Sequence, residues 1–343
     1  MKEYFRTHST PVIAYLELTL RCNQACVHCY LERERPGERE ELSRPEIRVM
    51  LEGLAQLGTL ILVFTGGEIF LRKDLLEILE ESRKLGFAVV LFTNGTLITP
   101  EHVSRLYDLA PLGIEISLHG ADPATHDAVT GAPGSFESAL GAIRLLRQKG
   151  LRVKIKGNLL KSNRGDYNDL IALADGLGCE YTMDPFIFPC RDKDPAPLSE
   201  RLGPDILKTV FSDSRLIRGK KEGPGKEYLE EPENRLCGAG ANVLTVCSNG
   251  DVFPCLPLKL KAGSVRETSI ARIWNGSPVF QRLRTYRVKD LEACRECPSK
   301  KHCLRCSALT YNETGDLLGC SPMSMQISEV RREIYRKKAL SGV

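Results

Sequence analysis

The sequence predicts an α/β protein: a partial (β/α)6 barrel of the TIM type, followed by a small cysteine-rich α+β domain. Three observations carry that prediction. Residues 12 to 190 repeat a strand, a turn and a helix about every 30 residues, the rhythm of parallel βα units. Proline and glycine then become frequent between Pro185 and Pro232. Beyond them the strands are short and the cysteines dense, in a segment too small to bury a large core without metal. This divides the chain into an N-terminal extension (1–11), a barrel core (12–190), a bridging region with a helix or two (191–234), an auxiliary cysteine-rich domain (235–329) and a tail (330–343).

The elements follow in order. Ala14 to Thr19 alternates like a strand, and a loop with three cysteines follows it. Ser43-Arg44-Pro45-Glu46 reads as a capping box that opens a helix running to about Leu57. Leu60 to Thr65 is apolar throughout, as a strand covered on both faces should be. Then come a helix near Leu75 to Lys84, a strand Ala88 to Thr93, a helix from Glu101 and a strand Gly113 to Leu118. A helix Phe136 to Lys149, a strand Arg152 to Asn158, a helix from Asp166 and a strand Glu180 to Asp184 complete the series. Six such units make three-quarters of an eight-unit barrel, and barrels of this kind carry their chemistry in the loops after the strands.

Composition narrows the function. With 343 residues, 42% hydrophobic and 27% charged, the chain reads as a soluble globular protein of about two domains. The start, Met1-Lys2-Glu3-Tyr4-Phe5-Arg6-Thr7-His8, lacks the apolar core of a signal peptide. No apolar run approaches the roughly 18 residues of a membrane span, so a cytoplasmic location without membrane partners is expected. Net charge is only +4, from 48 basic and 44 acidic residues, which leaves no broad field for nucleic acid. Arg218-Gly219-Lys220-Lys221 and Arg336-Lys337-Lys338 read as solvated loop and tail. Thirteen cysteines in a reducing compartment point to metal rather than disulfides.

The first three, Cys22-x3-Cys26-x2-Cys29, carry the most information. Three thiolates leave one iron of a 4Fe-4S cluster open, whereas an electron-carrying cluster usually has four. Zinc needs a fourth ligand and favours paired Cys-x-x-Cys arms; His28 could complete such a site, so spacing alone leaves zinc as an alternative. At the end of the second strand stands Thr65-Gly66-Gly67-Glu68. Its glycines let backbone pass close to a ligand, and its carboxylate can accept hydrogen bonds from an ammonium group.

These motifs together resemble the radical S-adenosylmethionine (SAM) superfamily. The resemblance implies that SAM chelates the open iron, and that its reductive cleavage gives a 5'-deoxyadenosyl radical able to abstract hydrogen. It implies that Gly66, Gly67 and Glu68 hold the SAM amino group, that Ser117 meets the ribose hydroxyls and that Asn94 and Asn158 line the pocket. His28 and Tyr30 would lie near adenine. Asn94-Gly95 is also an ordinary turn pair, and His119 and His126 read as polar loop residues. No catalytic base is assigned.

The later cysteines, Cys237, Cys255, Cys294-x2-Cys297-x5-Cys303-x2-Cys306 and Cys320, resemble the SPASM auxiliary-cluster module. That pattern usually has three residues between the last two cysteines of the block; here there are two, Leu304 and Arg305. The resemblance implies two auxiliary clusters, both of the 4Fe-4S type. Cys294, Cys297, Cys303 and Cys320 would ligate the outer one, and Cys237, Cys255 and Cys306 the inner. Its fourth ligand would be Cys247 or Cys190, or the site would be open for substrate. Cys179 follows a helical pattern and reads as a core thiol.

The leading expectation is a radical SAM/SPASM oxidoreductase acting on a ribosomal peptide to form a crosslink, with an auxiliary cluster accepting an electron or ligating the peptide. Reduced flavodoxin or ferredoxin would supply the starting electron. About 21 residues precede Cys22, too few for a peptide-recognition domain, so a leader peptide would need a separate carrier protein or direct contact with the barrel mouth. The alternative is a small-molecule reaction, such as tetrapyrrole side-chain modification or decarboxylation, for which Arg144, Lys154, Lys156 and Lys161 are candidate anion ligands. A non-catalytic iron-sulfur scaffold is the third reading.

Overall fold

Six strands lie side by side in chain order, all parallel: β1 (Ile13–Thr19), β2 (Ile61–Gly66), β3 (Ala88–Thr93), β4 (Gly113–Ser117), β5 (Val153–Asn158) and β6 (Glu180–Asp184). The structure is a computed structural model that describes residues 9–31, 40–191, 194–216 and 229–341. The basic stretch 218–221, the Glu222-Gly223-Pro224-Gly225 segment and residues 1–8 lie outside the described residues.

Period-two alternation sorts each strand between two environments. Ala14, Leu16 and Leu18 of β1, Ile114 and Ile116 of β4, and Val153 and Ile155 of β5 are buried in one apolar core with Ile47, Met50, Leu51 and Leu54 of the helix Arg44–Gln56. The intervening residues face the other side of the sheet, the inner face of the barrel. They include Tyr15 and Glu17 on β1, Glu115 and Ser117 on β4, and Lys154 and Lys156 on β5. The helix Arg44–Gln56 starts at the expected capping box: Ser43 N–H donates to Glu46 at 2.7 Å, and the Glu46 N–H reaches the Ser43 hydroxyl at 3.5 Å.

The C-terminal region does not stand apart from the barrel. Strand β7 (Val243–Val246) pairs in parallel with β1, and β8 (Asp251–Phe253) and β9 (Gly263–Ser264) follow antiparallel, so one sheet runs β6-β5-β4-β3-β2-β1-β7-β8-β9. The cysteine-bearing loops that follow β1 and β7 are thereby neighbours. The helix Pro204–Ser212 packs on the helix Pro322–Ser341, where Lys208 pairs with Glu333 at 2.9 Å and the Arg331 guanidinium lies 5.5 Å from the Phe211 ring. Ile327 and Val330 of the latter helix are buried in the main core. No described helix is long and apolar enough to cross a membrane.

Candidate active site and cluster sites

The three-cysteine loop is irregular backbone held from two sides. On one side Ala25 N–H donates to the Thr130 carbonyl at 2.8 Å and Val27 N–H to Val129 at 3.0 Å. Those carbonyls end the helix Pro123–Thr130, which Asp122 caps and Gly131 terminates at a φ of 63°. A side chain at Gly131 would also press on the Ala25 carbonyl, 3.1 Å from where its Cβ would stand. This helix is absent from the sequence expectation, although Asp122-Pro123 is a helix-start signal with Asp at the N-cap and Pro at the first helical position.

On the other side the loop meets Gly66 and Gly67. Gly67 N–H donates to Thr19 and Glu68 N–H to Arg21, both at 2.8 Å. A Cβ on Gly66 would lie 2.1 Å from the Thr19 carbonyl oxygen, and one on Gly67 2.2 Å from that of Arg21. The close approach that these glycines permit is therefore to the start of the cysteine loop itself. Glu68 is fully buried. Its carboxylate accepts from Phe70 N–H at 3.0 Å, from Asn94 N–H at 2.8 Å and from the Thr93 hydroxyl at 2.7 Å. Burial raises its pKa against the pull of these donors. Asn94 continues the connection, donating its side-chain amide to Asn23 at 2.8 Å beside Cys22.

His28 and Asn158 come together, and with them His119. The His28 ring meets His119 edge-on at 4.6 Å, and His119 stacks on His126 at 5.9 Å. His119 stands in the loop after β4, as expected, whereas His126 lies in the helix Pro123–Thr130, which corrects its assignment to a loop; both are buried rather than solvated. Burial pushes His28 and His126 down to about 4 and His119 well below its ordinary value, which favours neutral rings at these contacts. Ser117 ends β4 one strand from Asn158 at the end of β5.

Tyr30 belongs to a different group. Its carbonyl accepts from Arg191 N–H at 2.9 Å, and the Arg191 guanidinium lies 5.5 Å from its ring. Arg191 also pairs with the buried Glu17 and donates to the Leu256 carbonyl at 3.3 Å. The Cys247 thiol donates to Glu17 at 2.8 Å. Cys247 thus faces a carboxylate and a guanidinium on the inner side of β1 and β7, and burial followed by Glu17 raises its pKa well above the usual thiol range. The Cys190 thiol donates to the Leu31 carbonyl at 3.0 Å. A lone glutamate in the apolar run Ala14-Tyr15-Leu16-Glu17-Leu18 was the available signal for this network, since buried acids are paired.

The remaining cysteines fall into two sets. Burial, with the neighbouring Cys237 and Cys306 thiols, raises the pKa of Cys255 well above normal. Cys303 feels Cys294, Cys320 and Cys297, and burial together with them pushes it up to about 11. Arg305 occupies the shortened spacing between Cys303 and Cys306. It is buried, donates to Ser307 at 3.0 Å and to the Leu317 carbonyl, and acts on Cys294, Cys303 and Cys320 in the opposite sense, favouring their thiolates.

Residues 16–174 match the model of the radical SAM superfamily, and residues 237–298 that of SPASM, an iron-sulfur cluster-binding domain. The sequence is 32% identical to the AdoMet-dependent heme synthase of Methanosarcina barkeri, over 92% of this chain and 96% of that protein. The chain belongs to the radical SAM superfamily. It is an enzyme of that class with a SPASM module, and its cofactors are SAM, the 4Fe-4S cluster that binds SAM, and auxiliary iron-sulfur clusters. The mycofactocin maturase MftC of Mycobacterium ulcerans is 29% identical over 85% of this chain and 82% of that protein. Among solved structures, Streptococcus suis SuiB bound to S-adenosylmethionine superposes with a TM-score of 0.70 at 17% identity, over 93% of this chain and 78% of that one, a likeness of fold.

The donor sets of this radical SAM enzyme fit those cofactors. Cys22, Cys26 and Cys29 lie within electrostatic reach of one another, and burial with the neighbouring thiols pushes Cys26 up to about 12. Thiols so disposed ionise when metal supplies the compensating charge. Among the described residues no three His, Cys, Asp or Glu side chains converge closely enough to hold a single metal ion; a multi-iron cluster spans a wider gap.

Proposed function

We propose that this enzyme acts on a carboxyl-bearing side chain of a tetrapyrrole, by hydrogen abstraction leading to modification or decarboxylation. The observation that carries this reading is the end-to-end match to AdoMet-dependent heme synthases, at 32% identity for the Methanosarcina barkeri protein and 29% for that of Nitratidesulfovibrio vulgaris, each over at least 90% of both chains. Held by Cys22, Cys26 and Cys29, a cluster with bound SAM supplies a radical able to remove hydrogen from an unactivated carbon. The chain's own residues then have three tasks. The Gly66-Gly67 backbone and the Glu68–Asn94–Asn23 connection hold the cysteine loop in place. His28, Ser117 and Asn158 are proposed to flank the nucleoside of SAM, and Gly66, Gly67, Glu68, Asn94 and Tyr30 to complete its surroundings. Cys294, Cys297, Cys303 and Cys320 are proposed to hold one auxiliary cluster, and Cys237, Cys255 and Cys306 the other. A reduced flavodoxin or ferredoxin supplies the starting electron.

A second reading, modification of a ribosomal peptide, is favoured by the similarity to MftC and to the PqqA peptide cyclase of Rhodopseudomonas palustris, 29% identical over 77% of that protein. One experiment separates the two. Anaerobically reconstituted enzyme, given SAM, reductant and a porphyrin carrying propionate side chains, is expected to release 5'-deoxyadenosine in proportion to loss of carbon dioxide or other side-chain change, read by mass spectrometry. Deoxyadenosine release that no propionate-bearing porphyrin stimulates, but a peptide does, would transfer the assignment to the second reading.

A further inference from the structure

The inner face of the barrel carries a charged group that neither the SAM surroundings nor the cysteines employ. Lys154 and Lys156 of β5 both reach Glu115 of β4, at 3.8 and 3.4 Å. The Lys156 ammonium also lies 3.5 Å from the centroid of the Phe92 ring on β3, and Tyr15 of β1 meets that ring edge-on at 6.3 Å. Two ammonium groups therefore share one carboxylate, with an aromatic wall beside them. Each ammonium has three donors, more than Glu115 can fill.

Charge and access point the same way. The lysine side chains keep 30% and 37% of their exposure, so the face is open to a ligand. Burial nevertheless lowers the pKa of Lys156 below the ordinary lysine range, in spite of Glu115 and a weaker attraction from Asp184 at the exposed end of β6. Two ammonium groups thus face the single carboxylate of Glu115, at 3.8 and 3.4 Å. The group is also centrally placed: Lys156 pairs in register with Ser117, and Tyr15 feels both Glu115 and Cys255. A ligand here would lie between the end of β4 and the Cys237, Cys255 and Cys306 set.

We propose that Lys154 and Lys156 form a subsite for a carboxylate of the substrate, with Phe92 and Tyr15 meeting the flat apolar body that carries it. This rests on the tetrapyrrole reading and deepens it, because a porphyrin propionate presents a carboxylate at the edge of a large apolar ring. Glu115 pairs with both lysines and competes with the substrate carboxylate for them.

Zinc protoporphyrin IX and its dimethyl ester, which lacks free carboxylates, test the subsite by fluorescence anisotropy on the anaerobically reconstituted holoenzyme with SAM. Wild-type enzyme is expected to bind the acid about tenfold more tightly than the ester, the scale of a charged hydrogen bond. Lys156→Met should remove most of that preference while leaving ester binding unchanged, which also shows that the variant is folded. Glu115→Gln should tighten acid binding, since it removes the competing carboxylate. Equal affinity for acid and ester, an unchanged preference in Lys156→Met, or weaker acid binding in Glu115→Gln overturns the lysine subsite and leaves the tetrapyrrole reading standing. Failure of the wild-type enzyme to bind either compound removes the tetrapyrrole reading and the subsite together.

Discussion

The Thr93 hydroxyl stands 2.7 and 2.9 Å from the two carboxylate oxygens of a fully buried Glu68, joining the end of β3 to the segment after β2. From there the connection runs through the Asn94 N–H and the Asn94 side chain to Asn23, next to Cys22. Glu68→Ala would leave the N–H groups of Phe70 and Asn94 without their acceptor, at about 1–3 kcal/mol each. We expect a loss of about 2–6 kcal/mol in urea denaturation together with reduced iron retention; Thr93→Val, which removes one donor to Glu68 and strands only the Gly95 N–H that donates to the Thr93 hydroxyl at 3.0 Å, should cost about 1–3 kcal/mol. A role confined to the SAM amino group would instead leave stability and iron intact, and that result would remove the bracing role.

Two glycine substitutions should act in opposite directions. Gly67→Ala places a Cβ 2.2 Å from the Arg21 carbonyl oxygen, so the cysteine loop must shift, with loss of both bound iron and SAM affinity. Gly141 lies inside the helix Ser135–Gln148 with nothing within 4 Å of its would-be Cβ. Gly141→Ala should stabilise by about 0.4–1 kcal/mol by restricting the unfolded chain. Thermal unfolding and iron analysis of both variants check the pair; full iron in Gly67→Ala would contradict the close approach.

Iron content tests the cofactor set directly. With three 4Fe-4S clusters the reconstituted enzyme should hold about 12 iron per chain, and the Cys22, Cys26, Cys29 triple alanine variant about two-thirds of that. Zinc in place of iron and sulfide in anaerobically purified protein would be incompatible with this.

Local patterns carried much of the architecture. The helix Leu75–Lys84 and the strands Ala88–Thr93 and Glu180–Asp184 lie where periodicity put them, because each repeats one period between clear turns. The cysteine spacings and Gly66-Gly67-Glu68 were readable for a similar reason, as their chemistry sits within a few consecutive residues. What stayed hidden depends on distant pairings. That β7 would join β1 follows from no short segment, and with it went the meeting of Glu17, Arg191 and Cys247. The burial of His119 and His126 was hidden because nothing near them in sequence announces that His28 will meet His119 or that Phe136 will pack on His126.

Cys247 tests that hidden pairing. With Cys190 or an open site as alternatives, it was a sequence candidate for fourth ligand of the inner cluster, yet its thiol donates to Glu17 at 2.8 Å and lies 3.6 Å from Arg191, while Cys255 faces Cys237 and Cys306. We expect Cys247→Ser to keep full iron, since a hydroxyl can still donate to Glu17, whereas Cys255→Ala should lose the inner cluster, about a third of the total. Equal iron loss in the two variants would instead make Cys247 a ligand. Arg191→Met should be far more damaging to stability than Cys247→Ser, because it leaves Glu17 as a buried unpaired charge, at about 3–5 kcal/mol. Adding Glu17→Leu to Arg191→Met should recover much of that loss, and urea denaturation of the two single variants and the double variant measures the coupling. If the double variant were no more stable than Arg191→Met alone, the guanidinium would be needed for its contact with Leu256, and the docking of the SPASM region on β1, rather than the charge of Glu17, would account for the cost.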